Sequence, residues 1–457
     1  MKRFYAIFLL LVVCFFTSFF TSCVPSYSIF LNGDIVEKFI EITINGDTPL
    51  DETLKKITPR AADYKLLISA KNDGQGKNNG TSALIDGADA KFCMLYKNED
   101  GGINLSAPKH PAVAGIKNIL DITVICGGLD DFRVLYPYGF DGYSFGETKL
   151  AFYSAPDESI KTDAETGYKY KAARCNPKAI NVGDFIEDES KIYAYFDDFG
   201  IEKADLAAPL TWKNGRIYYK NNTSPVFGFL CGADNFVGDA YYAMKDAIDG
   251  NRKVITVLAD GLSLEQVRRW ADELTLLKSG YKFAASTHIA KTQVATAAIL
   301  TGKTPRETGV TTGLFKTPLV PDIFTYVKQK GRTAAYILGT SNVIGTPDIQ
   351  PILAGETDLA VKNKALTKRG ENPDLLFVHF KDIDLVNHEF SPQSEQSLAK
   401  ILEIEGYIKE LIEGFKGRLI IVPDHGHITL DEGGVTVGNH ALFMPGDMFV
   451  PYYVFEC

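Results

Sequence analysis

The sequence predicts an α/β fold, a doubly wound and mostly parallel sheet over residues 251–457, with a separate β-rich domain ahead of it at residues 24–248. Three observations predict it. After residue 250, short apolar runs alternate with stretches of helical periodicity, which implies a parallel sheet covered on both faces. Before residue 248, strand-like runs are broken by glycines and acidic residues, and helical periodicity is scarce. Six of the seven histidines, all but His110, fall after residue 280, which locates the chemistry in the second half.

Residues 1–23 stand outside the fold. Lys2-Arg3 precede an apolar segment from Phe4 to Phe20, then Thr21-Ser22 and Cys23, a secretory signal pattern. It resembles a bacterial lipoprotein signal with Phe20-Thr21-Ser22-Cys23 as a relaxed lipobox, in which the usual Leu and Ala/Gly positions are unmatched. The expectation is an exported protein, lipidated at Cys23 and membrane-anchored, facing the periplasm or cell exterior. The alternative is an uncleaved anchor helix, borderline for the ~20 residues that a bilayer span needs.

In the β-rich segment, Phe39 to Ile44 alternates before Asn45-Gly46, as a strand entering a hairpin does. Asp121 to Ile125 and Lys191 to Phe196 read likewise, and residues 74–80 read as an exposed loop. After residue 250, Val254 to Leu258 is a buried-strand run. Ser263 opens a helix with Gln266 as its capping-box partner. Helices follow at 292–300, 323–330 and 395–415, and strands at 334–338, 375–379 and 419–422. Hydrophobic content of 45% gives a sizeable core. The net charge of −9 excludes a general nucleic-acid binder, which carries a basic face. Cysteines after the signal (Cys93, Cys126, Cys175, Cys231, Cys457) show no CxxC spacing, so zinc-thiolate chemistry is not expected; isolated buried thiols and one or two disulfides both fit.

Three predicted strand ends terminate in candidate ligands. The first is Asp260-Gly261, the second Asp384 with His388 four residues on, and the third Asp424-His425-Gly426. His440 adds a late imidazole. Asp oxygens and His nitrogens without Cys suit zinc or manganese, and two clusters can be composed from them. A metal pair can clamp the entering and leaving oxygens of a phosphoryl transfer. Thr292, in Lys291-Thr292-Gln293, puts a hydroxyl at a helix N-terminus, where phosphate binds well.

Val257-Leu258-Ala259-Asp260-Gly261, Thr292 ahead of Thr301-Gly302, Pro305, Gly309, Asp384-x-x-x-His388, Asp424-His425-Gly426 and His440 leading to Pro451 stand in one order. In that order and spacing, residues 251–457 resemble the alkaline phosphatase superfamily, in its nucleotide pyrophosphatase/phosphodiesterase branch. The resemblance implies a sheet of alkaline-phosphatase type and two divalent metal ions, zinc first and manganese second. It assigns Asp384, His388 and His440 to one metal and Asp260, Asp424 and His425 to the other. Thr292 bridges toward the latter as nucleophile, through a phospho-threonine intermediate. The Asn common after the Pro…Gly turn is absent, so Thr312, Lys291 or Lys303 is expected to hold phosphate instead. A sulfatase is disfavoured, because Lys291-Thr292-Gln293 replaces its Cys-containing motif.

The implied activity is phosphodiester hydrolysis on a small-molecule or lipid-headgroup substrate. Phosphomonoester hydrolysis, phospho-group transfer and a surface binding protein on a degenerate hydrolase scaffold are the alternatives. Among nearby residues, Asp382 reads as outside the ligand set, His379 as a satisfied core histidine, His427 as a loop residue that orients the site, and His288 as surface. Glu395, Glu403, Glu405 and Glu410 read as a solvated helix face. The stretch 339–373, too short for a large cap domain, reads as a loop, and substrate selection is expected to fall to it or to the N-terminal domain.

Overall fold

The computed structural model describes residues 28–33, 36–44, 46–55, 64–71, 81–126, 130–154, 157–187 and 191–457. The signal segment with Cys23 and the loop at 74–80 lie outside these residues. The chain forms two compact units. One comprises the residues up to 131 together with 143–179, and the other comprises 132–142 and 180–457. The division therefore falls elsewhere than the expected boundary near residue 250. Residues 180–248 belong with the α/β half because Tyr193, Tyr195, Leu230, Val237, Ala240 and Met244 share one hydrophobic cluster with Val254, Leu258, Ile420 and Val422.

The first unit is built on a seven-stranded sheet, ordered Asp157–Thr162, Lys169–Cys175, Ser82–Asp86, Lys65–Ala70, Ile119–Ile125, Ser28–Gly33, Val36–Thr43. Leu31, Leu66, Ile68, Ile85, Ile122 and Val124 form its core. Lys149 is buried beside Asp121 and Thr123, so its charge is paired rather than solvated.

The second unit holds an eight-stranded sheet of mostly antiparallel pairs around Val226–Cys231 and, separately, the sheet that carries the site. In the site sheet the principal strands are β1 (Val254–Ala259), β2 (Tyr281–Ala285), β3 (Ala334–Leu338), β4 (Leu375–Phe380), β5 (Arg418–Val422) and β6 (Phe449–Glu456). Their order is Asn235–Phe236, β2, β6, β5, β1, β4, β3, Ile352–Leu353. β1 runs parallel to β4 and β5, and β3 runs parallel to β4. β6 is the antiparallel member, against β2 and β5.

The apolar runs are explained by burial on both faces. Val254 and Leu258 enter one hydrophobic cluster, while Ile255, Val257 and Ala259 enter the other. The helices that matter for the site are α1 (Thr292–Thr301), α2 (Asp382–Phe390) and α3 (Glu395–Ile412). Gly302 closes α1 at φ +69°, a left-handed turn that glycine takes without strain. The expected capping box ahead of Leu264–Arg269 is formed, with the Gln266 N–H donating to Ser263 Oγ at 3.1 Å and the Ser263 N–H to Gln266 Oε1 at 2.9 Å.

Several expectations are corrected. Asp239–Asp249 is an 11-residue helix within the segment expected to lack helices. The stretch 339–373 is not a structureless loop, since it contains the strand Ile352–Leu353 and the helix Asp358–Gly370. Glu405 is buried in α3, where its carboxylate accepts the backbone N–H groups of Thr275, Leu276 and Leu277 at 2.9, 2.6 and 2.9 Å. Cys93, Cys175 and Cys457 carry free thiols. Among the described residues no helix is long and apolar enough to cross a membrane.

Candidate active site

The site lies at the C-terminal ends of β1, β4 and β5, where open α/β sheets present side chains beyond the strand ends. β1 delivers Asp260, β5 delivers Asp424 and His425, and the turn after β4 starts α2, which carries Asp384 and His388 one turn apart on one face. His440 follows the hairpin Ile428–Glu432 / Val435–Asn439. Thr292 opens α1.

Two glycines make the convergence possible. A Cβ on Gly426 would lie 2.1 Å from the Gly446 carbonyl oxygen and 2.6 Å from Ser263 Cβ. Gly261 sits at φ +77°, and a Cβ there would lie 2.8 Å from His427 Cε1 and 2.9 Å from Asp384 Cα. Both positions demand the absence of a side chain so that chain segments can close around the carboxylates.

Two groups of donor atoms form. Asp384, His388, His427 and His440 make one, and Asp260, Asp384 and His425 make the other, with the ligand atoms of each group within 4.8 Å of one another. Asp384 Oδ1 lies 3.2 Å from His427 Nε2, 3.5 Å from His388 Nε2 and 3.8 Å from His440 Nε2. His425 Nε2 lies 3.6 Å from Asp260 Oδ1 and 3.4 Å from Asp424 Oδ2. Thr292 Oγ1 lies 3.3 Å from His425 Nε2 and 3.5 Å from Asp260 Oδ1.

The imidazoles share one arrangement. Nδ1 of His388 faces the Gly438 carbonyl at 3.0 Å, that of His425 the Gly426 carbonyl at 3.0 Å, that of His427 the Gly261 carbonyl at 3.2 Å and that of His440 the Ala290 carbonyl at 2.6 Å. A carbonyl oxygen only accepts, so at His388, His425 and His440 Nδ1 carries the proton and Nε2 keeps a bare lone pair directed at the carboxylates, while His427 Nδ1 also lies 3.3 Å from the Asn387 amide nitrogen. Among the buried side-chain atoms without a hydrogen-bond partner are Asp384 Oδ1, Asp424 Oδ2 and His427 Nε2.

Lone pairs facing lone pairs in such a site could hold cations between them. Burial raises Asp260 well above the usual carboxylate range, and Asp424 and Asp384 add to the effect. Burial likewise raises Asp424. Asp384 is held well below that range: burial opposes this, but the imidazoles of His427, His425 and His388 outweigh it. Burial pushes His425 down to about 4 and His440 down to about 3, which keeps their Nε2 atoms unprotonated at neutral pH. Nitrogen and carboxylate donors without thiolate fit divalent cations.

The site-residue expectations meet the structure as follows. Asp260, Thr292, Asp384, His388, Asp424, His425 and His440 come together. Asp424 stands beside the second donor group, while Asp384 belongs to both. Lys291 is the exposed N-cap residue of α1, immediately before Thr292. Thr312 lies on the segment that approaches the start of α1, where a Cβ on Gly313 would meet Gln293 Oε1 at 3.4 Å. Lys303 is a correction: it follows the C-terminal end of α1, ~15 Å of helix from Thr292, and pairs with Glu307 at 3.1 Å. Of the other threonines near Thr292 in sequence, Thr287 donates to the Ile289 carbonyl and Thr296 is fully buried. Asp382 sits outside both groups, with its carboxylate accepting the Asp358 N–H.

Sequence reasoning missed two roles. His427 lies in the loop after β5 as expected, and it is also inside the first donor group. His379 is a buried core histidine as expected, and its Nε2 also faces Asp260 Oδ2 at 2.8 Å because β4 pairs with β1 in register Leu258 to His379. His288 is not a surface residue: it packs between Phe227 and Phe443 at ring separations of 4.5 and 5.6 Å. The His-x-His spacing of His425 and His427 around Gly426 was the signal available for His427.

Residues 323–450 match the family described as type I phosphodiesterase / nucleotide pyrophosphatase. No curated protein matches the sequence. Among solved structures, murine ectonucleotide pyrophosphatase / phosphodiesterase 5 aligns at 16% identity and a TM-score of 0.32, covering 40% of this chain and 59% of its own. An inactive variant of that protein, in complex with AMP, aligns at 15% with the same coverage and TM-score. Phosphonoacetate hydrolase from Sinorhizobium meliloti 1021, in complex with phosphonoformate, aligns at 15% and 0.32, covering 40% of this chain and 58% of its own. The chain thus spans less than two thirds of the length of these neighbours.

Proposed function

We propose that this chain, whose residues 323–450 carry the type I phosphodiesterase / nucleotide pyrophosphatase pattern, is a phosphoric ester hydrolase that cleaves phosphodiesters through a phospho-threonine intermediate. The observation that carries the reading is the position of Thr292 Oγ1, at the N-terminus of α1 and 3.3 Å from the unprotonated His425 Nε2. Asp384, His388 and His440 would hold one divalent ion, and Asp260, Asp424 and His425 the other, with zinc preferred and manganese second. Bound there, the ions would supply Lewis-acid stabilisation of the phosphoryl oxygens and lower the pKa of a ligated hydroxyl.

The chain's own groups account for the remaining steps. Thr292 Oγ1 attacks phosphorus, the P–O bond to the departing alcohol breaks, and the hydroxyl proton passes to the neighbouring basic groups. Water then attacks the phospho-threonine from the opposite side, forms a new P–O bond and releases Thr292 with the monoester product. The half-buried N-terminal turn of α1 offers backbone N–H groups to the anionic phosphate throughout. Lys291 and Thr312 flank that turn and would contact the phosphate oxygens. The protein is read as exported and lipid-anchored through Cys23, with a small-molecule or lipid-headgroup phosphoester as substrate.

The test uses the full chain loaded with zinc or manganese, on bis-p-nitrophenyl phosphate and p-nitrophenyl phosphate. Faster turnover of the diester is expected. Thr292→Ala is expected to lose at least ~1,000-fold in rate, as removal of a nucleophile does, while keeping its metal. Undiminished turnover by that variant removes the covalent mechanism, and absence of both bound metal and turnover in the wild type removes the enzyme reading.

A further inference from the structure

We propose that His427 is a direct ligand of the first metal, giving that site three imidazoles and one carboxylate: His388, His427, His440 and Asp384. This inference rests on the two-metal reading above and adds a residue to it. His427 is 1% exposed, and its Nε2 finds no hydrogen-bond partner although Asp384 Oδ1, also unpartnered, lies 3.2 Å away. Two buried polar atoms left facing each other unpaired at this distance carry an uncompensated desolvation cost. A cation bonded to both removes it.

Ring placement supports the assignment. The centroids of His388 and His440 lie 4.8 and 5.0 Å from that of His427, and His388 and His440 are 5.0 Å apart. The three rings therefore stand around Asp384 as near equals, rather than as two ligands with a distant supporter. Orientation of His427 is fixed from behind. The Gly261 carbonyl takes its Nδ1 proton at 3.2 Å, and the buried Asn387 amide donates to the same carbonyl at 3.1 Å. Asn387 is itself held by Gln266 at 2.9 Å and Ser397 at 2.6 Å, so this support is rigid. The left-handed backbone at Gly261 brings its carbonyl within reach, and no other residue fits beside the ring.

The chemical consequence is selectivity. Imidazole nitrogens favour zinc over magnesium, calcium or manganese, which prefer oxygen donors. A third imidazole biases this site toward zinc more strongly than two would.

The rival arrangement has Asn387 donating to His427 Nδ1, which lies 3.3 Å from its amide nitrogen, and His427 Nε2–H donating to Asp384. In that case His427 only positions a ligand. X-ray absorption at the zinc edge of the full-length protein, loaded with two zinc ions, separates the two without a variant. Direct ligation gives four imidazoles over two zincs (His388, His427, His440 and His425), and the rival gives three. Zinc titrations against a chromogenic chelator add a second readout. His427→Ala is expected to weaken one site by more than ~100-fold while sparing the other. Loss of an outer partner alone costs ~10–100-fold. His427→Asn, closer in size and polarity, guards against misfolding and is expected to show the same selective loss.

Three imidazoles over two zincs, or a loss below ~100-fold in both variants, overturns the assignment while leaving two bound zincs and the proposed function intact. A wild-type protein that binds no zinc overturns both.

Discussion

Gly261→Ala should both strain the backbone and open the site, and Gly331→Ala separates the two effects. Both glycines are left-handed, at φ +77° and +67°. A Cβ on Gly331 meets nothing within 4 Å, so its substitution reports backbone strain alone, ~1–2 kcal/mol. At Gly261 the same strain is joined by contacts of 2.8 Å to His427 Cε1, 2.9 Å to Asp384 Cα and 3.0 Å to Asp384 Cβ. Two of these belong to the first turn of α2 rather than to the tip of a flexible side chain, so relief requires a backbone shift. Overpacking of this kind adds ~1–3 kcal/mol.

The expected total for Gly261→Ala is therefore ~2–5 kcal/mol, against ~1–2 kcal/mol for Gly331→Ala. Because the displaced groups are Asp384 and His427, metal affinity should fall at least ~10-fold in the first variant and stay unchanged in the second. Denaturant unfolding of both variants measures the stability difference, and metal titration of the folded proteins measures the affinity. Equal destabilisation together with unchanged metal affinity for Gly261→Ala would refute the argument that this glycine is required by the site.

Two further predictions address the frame around the site. Glu405→Gln should destabilise the protein by ~2 kcal/mol, since hydrogen bonds to a charged acceptor are worth ~1.5–3 kcal/mol and this carboxylate serves three consecutive backbone N–H groups. Glu403→Gln, at an exposed position on the same helix where the carboxylate pairs with Lys400 and accepts the Tyr407 hydroxyl, should cost less, ~0.2–1 kcal/mol, in the same denaturation assay. Asp358 is buried, and burial together with nearby Asp382 pushes it up to about 7 against the N–H groups that favour its charge. Its folded pKa is thus above the unfolded ~3.9, so the native state keeps a proton that the unfolded chain has released, and stability falls as pH rises from about 4 to about 7. Asp358→Asn lacks this dependence. Unfolding at pH 5 and pH 8 should show the variant gaining on the wild type by ~2.6 kcal/mol, since about 1.1 of the roughly three pKa units is already lost by pH 5, and a pH-independent gap would contradict the assignment.

Much of the site was legible because its residues lie just after strand runs whose apolar character is unambiguous. Val254–Ala259 and Arg418–Val422 announce Asp260, Asp424 and His425, and four-residue spacing on a helix announces Asp384 with His388. Other residues were misread because their roles depend on what lies opposite. Glu405 has the sequence context of a solvated helix face, but the 275–277 turn packs over it. Lys303 carries the right charge and stands at the wrong end of α1. His288 sits between two phenylalanines distant in sequence.

By itself, the sequence determined the strands and helices that carry Asp260, Thr292, Asp384, His388, Asp424 and His425, the donor types and the hydroxyl at the head of α1. Local periodicity and residue chemistry are properties of neighbours along the chain. Only the tertiary structure decided that residues 180–248 join the α/β unit, that His379 faces Asp260, and that His427 turns its Nε2 toward Asp384. Each of these depends on strand register, a left-handed glycine or a carbonyl from another segment. Such pairings across long sequence distances leave no periodic trace in the chain that makes them.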